Sequence, residues 1–107
     1  MKEADFRKLL ALLVINNLPK FRNSYDLTKV MAWKFDIIEI VDLTQSLEND
    51  NLVSRISNEG LYQYTITEKG KNYLRENYAL LHSQTLKKYP EQAEFTNVLF
   101  QPSDINN

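Results

Sequence analysis

Between Leu52 and Leu81 the hydrophobic pattern changes its period. Two short runs rich in β-branched and aromatic residues, Leu52-Val53-Ser54-Arg55-Ile56 and Leu61-Tyr62-Gln63-Tyr64-Thr65-Ile66-Thr67, flank a polar turn ending in Gly60. That arrangement predicts a β-hairpin. In the second run Tyr62, Tyr64 and Ile66 share one face, and Gln63, Thr65 and Thr67 share the other, because strand side chains alternate. The tyrosine face is expected against the helices. From Glu68 to about Lys87 the period becomes helical, with Tyr73, Leu74, Tyr78 and Leu81 in one stripe and Leu80 beside it. Thr67 stands where an N-cap belongs.

Upstream, a helix is predicted from about Glu3 to Asn17, ending before Pro19. Phe6, Leu9, Leu10, Leu13 and Asn17 share a face, and Leu12, Val14 and Ile15 extend the apolar surface almost all the way round. Such a helix is buried on more than one side, and in a small chain a second subunit is one way to cover it. A short helix over Ser24 to Ala32 follows, then a turn at Trp33-Lys34-Phe35, with Trp33 as packing between helices. Asp36-Ile37-Ile38-Glu39 matches a capping box and opens a helix to Asn49. Its inward stripe is read as Ile37, Ile40, Val41, Thr44 and Leu47, with Leu43 at the edge. A last helical turn or two between Glu91 and Phe100 is expected to bury Phe95, Val98 and Leu99.

Composition narrows the chemistry. The chain has 107 residues, 43% hydrophobic and 25% charged, which suits one globular domain. There is no cysteine, so disulfides and thiolate metal sites are excluded. The one histidine, His82, is read as a solvated helix position. Gly60 and Gly70 are the only glycines, and neither belongs to a phosphate-binding loop. No enzyme activity, cofactor or metal is therefore expected. Leu9 to Ile15 is too short an apolar run to span a bilayer, and Glu3 and Asp5 spoil a basic leader. The expectation is a cytoplasmic protein without a membrane partner. Formal net charge is -1, but the charges are unevenly placed. Asp36, Glu39, Asp42, Glu48 and Asp50 fall between Phe35 and Leu52, where there is no base.

The order helix, helix, helix, hairpin, helix, with the hairpin passing into its helix through Ile66-Thr67-Glu68-Lys69-Gly70, resembles bacterial winged-helix proteins, the MarR-like and PadR-like regulators among them. The resemblance implies a mainly α fold with a small β-hairpin, a winged helix-turn-helix. It would occupy residues 1–100 as a single domain, followed by a disordered tail over 101–107. It also implies a transcriptional regulator that binds double-stranded DNA as a homodimer. The helix over 36–49 would lie in the major groove, with Gln45, Ser46 and Asn49 as base readers. Lys29, Lys34, Arg55, Lys69 and Lys71 would contact phosphates. Leu9, Leu12, Ile15, Phe95, Val98 and Leu99 are the dimer candidates. A second reading stays open. Glu39 and Asp42 oppose a polyanion, and with Ile38 they would suit a basic protein partner, making the domain a protein–protein interaction module that does not bind DNA.

Overall fold

The computed structural model describes residues 1–17, 36–58 and 61–100. The helix expected over 24–32, Lys29, Trp33, Lys34, the hairpin tip at Glu59 and Gly60, and the tail over 101–107 lie outside the described residues. So do the side chains of Ile37, Asn58, Leu61, Phe95 and Val98. Helix α1 spans Glu3–Asn17 and α2 spans Ile37–Asn49. Strands β1 (Val53–Asn58) and β2 (Leu61–Ile66) form an antiparallel hairpin, which leads into α3 (Glu68–Lys88). A 3-10 turn over Pro90–Gln92 and a short helix α4 (Ala93–Leu99) close the described chain. This is the expected winged-helix architecture.

Helix α1 is the centre of the core and packs against α2, α3, α4 and β2. Every residue from Leu9 to Ile15 is buried, as is Phe6. Its apolar circumference is thus covered within one chain, by neighbours on all sides. Leu9, Leu12, Ile15 and Leu99 are buried inside the monomer, which corrects the expectation that they form a spare apolar surface. They are core side chains here, and none is free to meet a second copy. Among the described residues, no helix is long and apolar enough to cross a membrane.

Local signals set the ends of the elements. The Asp36 carboxylate accepts from the Glu39 backbone N–H at 2.9 Å, and the Glu39 side chain reaches back to the Asp36 N–H. This is the predicted capping box. At the other end Asn51 adopts φ 62°, the Leu52 N–H donates to the Leu47 carbonyl and the Asn51 N–H to that of Glu48. These bonds make a Schellman cap, with Leu47 and Leu52 both buried beneath it. Thr67 caps α3, its hydroxyl accepting from the Gly70 N–H at 3.0 Å and donating to the Asn51 carbonyl at 2.7 Å. The turn after α2 and the start of α3 are therefore joined.

Three expectations need correction. Val41 is 46% exposed, whereas Ile40, Thr44 and Leu47 are buried. The buried stripe is narrower than the pattern suggests, and Val41 lines an open cleft between α2 and the hairpin. His82 is half-buried, with its ring stacked on Phe100 at 4.5 Å. The close of the chain folds back over α3 and covers it. Tyr62, expected inside with Tyr64 and Ile66, is 53% exposed. It shares their face, but lines an open cleft beside α2 and stays partly solvated.

Candidate nucleic-acid interface

Helix α2 presents an exposed face of mixed polar and apolar side chains. Ile38, Asp42, Gln45 and Asn49 are all exposed, and Ile38 reaches 70%. Their i, i+4, i+7, i+11 spacing places them in one line along the helix. Gln45 and Asn49 make no side-chain hydrogen bond among the described residues, so both amides are available. Ser46 is half-buried on the flank nearest α1, where a cleft of about 250 Å³ is lined by Arg7, Lys8, Glu39, Asp42 and Leu43 among others. On the opposite flank a larger cleft of about 420 Å³ separates α2 from the wing. Val41, Gln45, Glu48, Arg55 and Tyr62 line it, over a floor of Thr44 and Tyr64.

The acidic stretch looks different once folded. Glu39 is held by the Arg7 guanidinium at 2.6 Å, across 32 residues of sequence. Glu48 meets Arg55 of the wing at 3.5 Å, and Asp50 is paired with Lys8. Asp36 serves the cap. Asp42 is the one acid of the five without a carboxylate ion pair or cap among the described residues. Most of the negative charge expected on this face is therefore locally compensated.

The same pairings occupy the cations. Arg55 lies between Glu48 and the Tyr62 ring, 4.4 Å from its centroid. Lys69 donates to the Asp50 carbonyl at 3.0 Å, where a cation suits the C-terminal end of α2. Lys71 is 3.7 Å from Glu68. These side chains are partly exposed, and such pairs are worth roughly 0–1 kcal/mol. A phosphate could displace the carboxylate at little cost. The structure thus brings Gln45, Asn49 and Arg55 to one cleft and sets Ser46 on the far flank. Lys69 and Lys71 stand at the N-terminus of α3. Arg7 and Lys8, which the sequence reading had not assigned, prove to be the partners that neutralise α2. Only their i, i+1 position at a charged end of α1 hinted at it.

The chain matches no protein-family model and no curated protein. Among solved structures it is similar to a crystal structure of a transcriptional regulator (MarR family) from Rhodococcus sp. RHA1, with a TM-score of 0.56 and 17% identity. The alignment covers 85% of this chain and 63% of that one, so the chain spans less than two thirds of the regulator's length. The likeness is one of fold.

Proposed function

We propose that this winged-helix chain is a DNA-binding transcriptional regulator that acts as a homodimer in the cytoplasm. The observation that carries the reading is the exposed line Ile38, Asp42, Gln45 and Asn49 on α2, beside a wing, with Glu39 and Glu48 compensated by Arg7 and Arg55. A helix with free amides and compensated acids can enter a major groove. The similar regulator of the same fold supports this by analogy only. Two-fold symmetry would set two such helices on a palindromic site. The four buried dimer candidates leave that contact to other residues, Phe95 and Val98 among the candidates first proposed. No catalytic step belongs to this reading.

Fluorescence anisotropy with a labelled duplex, between about 50 and 200 mM salt, tests it. Weak binding that falls with salt is expected. Asp42→Asn should tighten it, since Asp42 is the acid of α2 without an ion pair among the described residues and would face a polyanion. Arg55→Ala alone would also unpair Glu48, so the informative variant is Arg55→Ala with Glu48→Gln. Compared with Glu48→Gln alone, that pair should weaken binding and flatten its salt dependence by about one phosphate contact. Absence of binding at the lowest salt, by both wild type and Asp42→Asn, would overturn the reading and favour a basic protein partner at Ile38, Glu39 and Asp42.

A further inference from the structure

Helix α2 contains no arginine or lysine, which restricts what it can read. Arginine or lysine on guanine O6 and N7 is the commonest specific contact in the major groove, whereas asparagine and glutamine pair with adenine N6 and N7. The exposed line offers two such amides, Gln45 and Asn49, separated by one helical turn. It also offers apolar branched side chains in Ile38, 70% exposed, and Val41 beside it. Those are suited to the thymine methyl group. Asp42 lies between them as an acceptor with no compensating cation among the described residues. An acceptor there needs a base amino group, adenine N6 or cytosine N4, and is repelled by guanine O6 and thymine O4. Other hydroxyls add little. Thr44 is buried and bonded to the Val41 carbonyl at 3.0 Å, and Ser46 is half-buried.

We infer that the DNA bound by this chain is A·T-rich at the centre of each half-site, read by Gln45 and Asn49 as adenine contacts and by Ile38 and Val41 as thymine-methyl contacts, with Asp42 set against a base amino group, adenine N6 or cytosine N4. The inference rests on the DNA-binding reading and adds its substrate class. The line from Ile38 to Asn49 is about 16 Å long at 1.5 Å per residue. That length covers roughly five base pairs at 3.4 Å each, so a short A·T block is what it can address.

Selection of the full chain on a random-sequence duplex pool at low salt, followed by anisotropy on the selected duplex, tests this. The expected product has consecutive A·T pairs in each half-site. Gln45→Ala and Asn49→Ala should each reduce discrimination about tenfold at one position without changing the salt slope. Gln45→Arg should turn the preference at its position from adenine to guanine. Both positions are exposed, and thermal melts verify that the three variants remain folded. Guanine in place of adenine at the positions that Gln45→Ala and Asn49→Ala relax would overturn the inference. So would binding with no sequence preference, although DNA binding itself would then stand. Failure to bind any duplex at low salt would overturn both.

Discussion

At the scale of single residues, Gly70 has the sharpest demand. A Cβ built there would lie 2.8 Å from the Ile66 Cγ1 and closer still to the Leu52 carbonyl oxygen. That carbonyl is fixed, since it accepts the Thr67 N–H at 3.0 Å. In an open helix, alanine would be better than glycine by about 1 kcal/mol. Here the added methyl meets backbone that cannot swing aside, so the sign reverses. Gly70→Ala is expected to destabilise the fold by about 1–3 kcal/mol in urea melts. A stability gain would show that α3 and the start of β1 are not so closely joined. The sequence marks Gly70 only as a glycine near a helix start. The reason for it, an approach to a backbone 18 positions earlier, belongs to tertiary structure.

At the scale of elements, the turn from α2 into the wing decides how the exposed line and the cleft beside it are oriented. Its pivot is Asn51 with φ 62°, a conformation that glycine and asparagine adopt readily and β-branched residues do not. Asn51→Gly should therefore change stability by no more than a few tenths of a kcal/mol, while Asn51→Val should cost about 1–2 kcal/mol. Chemical denaturation of both variants measures the difference, and equal stabilities would argue against a Schellman cap. Asn49-Asp50-Asn51 was legible as a stop, and the capping box, the hairpin and the long helix that follows it were legible from period and capping residues. What periodicity could not settle was the flank of a stripe. Val41 and Ile40 are adjacent and equally apolar, yet Ile40 is buried and Val41 lines the cleft, a difference set by tertiary packing. The all-round apolar pattern of α1 was likewise ambiguous, because a central helix and a subunit interface produce the same sequence. The pairings of Arg7 with Glu39 and Arg55 with Glu48 were beyond reach, since charge order along the chain does not say which faces meet.

At the scale of the whole molecule, the termini of α1 and α3 are tied together, and this gives the stability a definite pH profile. Glu3 accepts from Lys88 at the end of α3 and from Arg7 at 3.3 Å. The Lys88 hydrogen bond, ahead of the Arg7 contact, holds the Glu3 carboxyl below its ordinary value near 4.5, against a smaller opposing effect of burial. A lowered folded value means that the contribution is present above about 4.5 and is lost as pH falls through the folded value. The pair is half-exposed, so added salt should shrink this acid limb. At the other extreme, burial pushes the phenols of Tyr73 and Tyr89 above their ordinary value near 10. The unfolded chain then loses those protons first, so stability is intact below about pH 10 and declines as pH rises through the folded values. Thermal melts across pH should therefore show a plateau bounded by two limbs of different origin. Glu3→Gln should reduce the acid limb and leave the alkaline one. Tyr89→Phe keeps a ring against Phe6, 6.2 Å away in the native chain, and should reduce the alkaline limb alone when each variant is compared with its own neutral-pH stability. An alkaline decline unchanged in both Tyr89→Phe and Tyr73→Phe would overturn the assignment of that limb to these two phenols.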